Sequence, residues 1–174
     1  MKATEALAAL VLACATAGCA TVPIARETVV LIEPAQGADL LRQCSRSGPL
    51  AGHSFFAPRP REITAVETAS ARALEAARHR YRDRPADALA AFAWPSDPSL
   101  YNRQYVGYVA DGRRKIYGNF VPRTFGPSSA RPTVICDGGP SLFGVEYDLL
   151  ADRVDRIAFN AGLGGPFFED IVPE

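Results

Sequence analysis

Between Arg61 and Tyr81 the residues Ile63, Val66, Ser70, Ala73, Leu74, Ala77 and Tyr81 recur at helical spacing, which predicts a helix with one narrow, alanine-rich stripe. Pro60 suits its first turn and Pro85 forbids its continuation. From Tyr101 the period changes to two. Tyr105–Ala110 and Arg113–Val121 flank Asp111-Gly112, a strong hairpin signal. A two-residue loop pairs Ala110 with Arg113, Tyr105 with Gly118 and Gly107 with Ile116, so each glycine leaves room for a large partner. One face then carries Tyr105, Val109, Ile116 and Phe120. The other carries Val106, Tyr108, Lys115 and Tyr117, which predicts that both faces are partly covered.

Further strands are predicted at Thr133–Asp137, Leu142–Leu149 and 154–159. In Leu142–Leu149, Phe143, Val145, Tyr147 and Leu149 share one face, and Glu146 and Asp148 share the other. Toward the N-terminus, Thr28–Glu33 reads as a strand or an extended packing segment, and Ala38–Arg46 as a short helix carrying Cys44. Residues 47–60, rich in Gly and Pro, read as loop, and Pro85–Phe92 as a second short helix. A helix followed by strands in this order predicts an α+β fold, with one main helix packed on an antiparallel four- to five-stranded meander sheet.

The first residues follow neither period. Lys2 precedes an apolar run from Ala6 to Ala17, too short to span a bilayer and suited to a signal-peptide core. The run ends in Thr16-Ala17-Gly18-Cys19, which resembles the lipobox of bacterial lipoproteins, although Thr16 stands where that family usually has Leu or another aliphatic residue. Val11-Leu12-Ala13-Cys14 is a competing cut with a very short apolar core, and ordinary cleavage without lipid is a third alternative. The resemblance implies that residues 1–18 are a signal peptide, that Cys19 carries two or three acyl chains, and that residues 19–27 form a tether for a single domain over 28–174. Two chains anchor stably where one does not. Ala20, standing where an Asp usually signals inner-membrane retention, implies the periplasmic face of the outer membrane.

Composition narrows the class without naming a function. With 48% hydrophobic and 22% charged residues over 174 positions, a folded domain is expected. Nineteen basic residues balance nineteen acidic ones, so no global charge draws the chain to nucleic acid. Beyond the leader two cysteines remain, Cys44 and Cys136, and in an oxidising compartment they are expected to form one disulfide; two separate buried thiols are the alternative. No C-x-x-C occurs, and His53 and His79 are isolated, so neither a metal nor a cofactor is expected.

Three local groups bear on chemistry. Asp137-Gly138-Gly139-Pro140 allows a backbone to approach a ligand, with Asp137 accepting hydrogen bonds; the plainer reading is a tight turn. Glu146 and Asp148, roughly 7 Å apart on one strand face, form with Asp137 a candidate acid/base or cation cluster; the plainer reading is solvated carboxylates. Arg78-His79-Arg80-Tyr81-Arg82-Asp83-Arg84 is a basic knot suited to anionic headgroups or a polyanion, and equally to complementing a helix C-terminus. No nucleophile motif is present. The expectation is therefore a lipid-anchored, non-catalytic module binding an envelope protein, peptide or lipid through Asp137–Pro140 or an exposed Tyr108/Tyr117 face. The rivals are a hydrolase or lyase using Asp137, Glu146 or Asp148, and a purely structural envelope lipoprotein.

Overall fold

The structure, a computed structural model, describes residues 29–49, 52, 54–84, 89–162 and 168–173. The leader, Cys14, Cys19, the tether and His53 lie outside them, as does the first half of the proposed Pro85–Phe92 helix. Within the described residues six strands form one mostly antiparallel sheet: β1 (Val29–Leu31), β2 (Ser54–Phe56), β3 (Tyr101–Ala110), β4 (Arg113–Pro122), β5 (Phe143–Asp148) and β6 (Arg153–Phe159). The spatial order is β1-β3-β4-β5-β6, with β2 beside β1 on the same edge of β3. Strands β3 to β6 are the expected meander, and β1, which enters parallel to β3, departs from it.

The β3–β4 register is the one dictated by Asp111-Gly112: Ala110 faces Arg113, Tyr105 faces Gly118 and Gly107 faces Ile116. Both turn residues have positive φ, 52° and 71°, as a hairpin turn matched to strand twist requires. Gly107 has a further duty, because a Cβ there would stand 2.2 Å from the Phe56 ring. That contact seats β2 within a stretch whose glycines and prolines read as loop.

Helix α2 (Pro60–Ala77) continues as a 3-10 turn over Arg78–Tyr81, and the backbone N–H of Arg59 donates to Glu62 Oε2 at 2.7 Å at its start. Its buried stripe packs with Tyr105, Ile116, Phe120, Phe143, Ile157 and Phe159 on one face of the sheet. Instead of a helix reaching Phe92, Ala90–Ala93 forms one 3-10 turn, from which Trp94 packs edge-on against Phe120 at 5.0 Å.

The opposite face is covered too. Ile32, Leu40 and Leu41, the last two on the short helix α1 (Gly37–Leu41), pack on Val106, Tyr108 and Tyr117. Helix α1 stops before Cys44, so the cysteine lies on the following segment. The expected strand at Thr133–Asp137 joins no strand of the sheet and bends at Cys136 and Asp137. Carbonyls of this segment and of the residues just before it are taken by side-chain amides: Gln104 Nε2 donates to Ser129 O and Arg131 O, Asn119 Nδ2 to Thr133 O and Asn160 Nδ2 to Ile135 O. Periodicity announces a strand; which donors meet its carbonyls is a tertiary matter.

Candidate functional site

Tyr108 and Tyr117 do not line an exposed surface, correcting the expected binding face. Each is buried by the N-terminal segments, and each hydroxyl is engaged. Tyr108 donates to Glu146 Oε2 at 3.1 Å, while Tyr117 accepts from Arg46 Nε at 3.1 Å and Nη2 at 2.9 Å. Burial pushes both phenols above their ordinary range; Glu146 adds to the rise at Tyr108, and the Arg46 charge opposes it at Tyr117. Arg46 also donates to Asn160 Oδ1 at 2.7 Å and to Asn119 Oδ1. A cation is thus held under the sheet face by neutral acceptors, and Gly144 leaves the room: a Cβ there would meet the Tyr117 hydroxyl at 2.3 Å.

The two strand carboxylates are not solvated either. Glu146 is 8% exposed and accepts from Arg156 Nε at 2.8 Å, with Arg156 Nη2 on the same oxygen. Asp148 is fully buried. Its Oδ1 accepts the N–H groups of Leu150 and Ala151, each at 2.9 Å, and Arg113 Nε stands 2.8 Å from its Oδ2. Burial opposes its ionisation, but those two N–H groups and the charges of Arg113 and Lys115 outweigh it and hold the carboxyl below its usual range. Asp137 is exposed, with φ at 55° beside Gly139 at 76°, in a turn tied to the C-terminal segment by a bridge between Gly138 and Gly162. Glu146 and Asp148 are therefore each committed to a separate arginine, and Asp137 sits on a surface turn. Cys44 and Cys136 are bonded, with Cα atoms 5.4 Å apart, and both residues are exposed.

A cleft of about 710 Å³ opens at the end of α2. Arg78, His79 and Arg82 on one side face Leu89, Phe92 and Asp97 on the other. It arises because the chain doubles back: Arg78 Nη2 donates to Phe92 O at 3.0 Å, while its Nε holds Glu75 at 2.9 Å. His79 Nδ1 donates to Ala76 O at 2.9 Å, which leaves Nε2 outward. Asp97 Oδ1 accepts from the Ser99 N–H and hydroxyl. The Arg82 side chain has no hydrogen bond or ion pair among the described residues, while its backbone N–H donates to His79 O. The basic knot marked one wall in the sequence. The other wall was hidden in the Trp94-Pro95 and Asp97-Pro98 breaks, which read only as interruptions.

Among the described residues no helix is long and apolar enough to cross a membrane, and no group of His, Cys, Asp or Glu could hold a metal ion. Comparison with protein-family models, with curated proteins and with solved structures finds no match to this chain.

Proposed function

We propose that the chain is an exported, lipid-anchored envelope protein whose domain is a non-catalytic binding module, with the α2-end cleft as its ligand site. The cleft carries this reading: it joins an apolar floor at Phe92 to the charged groups of Arg82 and Asp97, the mixture typical of binding clefts. The carboxylates of the hydrolase rival lend it less support, because Glu146 and Asp148 are each spent on an ion pair with a different arginine. Export is supported by the Cys44–Cys136 bond, because structural disulfides are common in oxidising compartments and rare in reducing ones.

Two measurements test this. The N-terminal peptide from purified membranes should begin at Cys19 with acyl mass added; an intact Met1 would sink export. A photo-reactive residue at Ser96, on the cleft wall, should capture a discrete envelope component in cells, while one at Asp111 in the remote hairpin should not. Equal capture from both positions, or none from Ser96, overturns the cleft as the site.

A further inference from the structure

Residues 160–162, just past β6, hold both cysteine-bearing segments. On one side the Ala161 N–H donates to Ser45 O at 2.8 Å, and Arg46 Nη1 donates to Asn160 Oδ1 at 2.7 Å. On the other, Asn160 Nδ2 donates to Ile135 O at 2.8 Å, the Gly139 N–H donates to Ala161 O at 3.1 Å, and Gly138 bridges to Gly162. These contacts fall within two residues of Cys44 and three of Cys136, and none of them passes through sulfur. The sulfur–sulfur bond therefore closes a gap, 5.4 Å between Cα atoms, that hydrogen bonds already keep short. Both cysteines are exposed, which leaves the bond open to attack from solvent. Residues 20–174 contain no other cysteine.

From this placement we infer that Cys44–Cys136 is a site of thiol–disulfide exchange, opened and re-formed on the folded protein by a partner protein carrying a Cys-x-x-Cys dithiol. The exchange needs neither the cleft nor the lipid anchor. A thiolate of the partner attacks one sulfur, forming a mixed disulfide and releasing the other cysteine as a thiolate that takes up a proton. The partner's second thiolate then attacks the mixed disulfide, and the second cysteine leaves and is protonated in turn. In sum two electrons and two protons pass from the partner to the pair, and the partner ends as a disulfide. An oxidised partner runs the same steps backwards. A dithiol suits the exchange because its second thiol already stands beside the mixed disulfide, whereas a monothiol must be met twice. The fold's own contribution is to the return. Thiols held this closely meet at an effective concentration of about a millimolar or more. At micromolar protein the pair therefore closes on itself rather than on a second molecule.

The test uses the full chain with Cys14→Ser/Cys19→Ser, so that no leader thiol joins in. Under millimolar dithiothreitol, and separately under reduced thioredoxin, iodoacetamide should label Cys44 and Cys136 while the circular dichroism of the sheet is kept. Below the unfolding transition, urea should change the opening rate by less than about twofold per molar, because exchange on the folded protein exposes little new surface. Exchange through global unfolding would instead quicken about tenfold or more per molar urea. On re-oxidation by oxidised dithiothreitol the main product should be the monomer bridged between Cys44 and Cys136. Asn160→Ala, which removes a support shared by both segments, should slow that closure about tenfold. The urea dependence is read with Asn160 intact, so it decides the matter even where that variant is unstable. Resistance to both dithiols below the transition, opening that climbs steeply with urea, or mainly disulfide-linked dimers on re-oxidation overturns the exchange site. Opening by dithiothreitol alone overturns the protein-borne partner, and an unchanged closure rate in Asn160→Ala overturns the alignment by residues 160–162.

Discussion

Glu67 on α2 and Arg103 on β3 form an ion pair inside the protein, with Arg103 Nη1 donating to Glu67 Oε1 at 2.8 Å and neither side chain more than 8% exposed. The Tyr105 hydroxyl donates to the same oxygen at 2.9 Å, so one carboxylate fixes where the helix crosses the sheet.

Removing that carboxylate takes the Glu67 charge away from a guanidinium buried under the helix, a loss that typically costs about 3–5 kcal/mol. Glu67→Ala should therefore lower the urea-unfolding free energy by about that amount. The double variant Glu67→Ala/Arg103→Met should recover a large part of it, since an apolar pair carries no such desolvation penalty. If the double variant is no more stable than Glu67→Ala, the charge is not what sets the cost.

The disulfide ties two segments that lean on the sheet largely through side chains. Residues 129–135 hang on Gln104, Asn119 and Asn160, and Arg46 holds the segment after Cys44. With the cysteines 92 positions apart, chain-entropy arithmetic allows up to about 4–5 kcal/mol. Cys44→Ser/Cys136→Ser should lower the unfolding midpoint accordingly while keeping the far-ultraviolet circular dichroism of the sheet. An unchanged midpoint would show that the amide contacts suffice.

These two features mark the limit of what the chain discloses before folding. The β3–β4 register is legible because Asp111-Gly112 imposes local backbone angles, and the stripe of α2 because one helix face must be apolar. Glu67 stands next to Val66 in that stripe and reads as a charge on the solvated side, yet Arg103 and Tyr105 draw it inward. The disulfide follows from counting, whereas the cleft does not, because its second wall is an irregular segment placed by tertiary contacts such as Trp94 on Phe120 and Phe92 on Tyr81. The Tyr108/Tyr117 face was legible as partly covered. That its cover is tight enough to close it depends on Arg46, which reads as the end of a short helix, whereas the helix stops at Leu41 and leaves the arginine on the segment that follows.

Gly144 and Tyr117 give a separate test of that closed face. A methyl at Gly144 collides with the Tyr117 hydroxyl and stands 3.0 Å from Arg46 Nε. Gly144→Ala should cost about 1–3 kcal/mol through overpacking. Tyr117→Phe removes the obstructing oxygen but strips Arg46 of two acceptor contacts, so it destabilises alone. Combined, the two losses should be smaller than their sum by a measurable coupling energy, because the methyl then occupies vacated space. Strict additivity in the double-mutant cycle would show that the methyl is accommodated by backbone movement instead.

All six tyrosines, Tyr81, Tyr101, Tyr105, Tyr108, Tyr117 and Tyr147, have phenols raised above the ordinary value of 10.0, with burial the first cause in each. Linkage then fixes a direction. The folded state keeps protons that the unfolded chain releases near pH 10, so above that pH the unfolded state binds fewer protons and stability falls as pH rises. This contribution is fully present below the unfolded pKa and is lost progressively above it. Folded protein should consequently show little phenolate absorption as pH passes 10, followed by a cooperative rise that coincides with loss of the far-ultraviolet signal. Tyr108→Phe should leave the far-ultraviolet circular dichroism at neutral pH unchanged and reduce the final phenolate amplitude by one part in six. A gradual absorbance rise centred near pH 10 with the sheet still intact would mean that the tyrosines reach water in the native state, and that the cover over Tyr108 and Tyr117 opens.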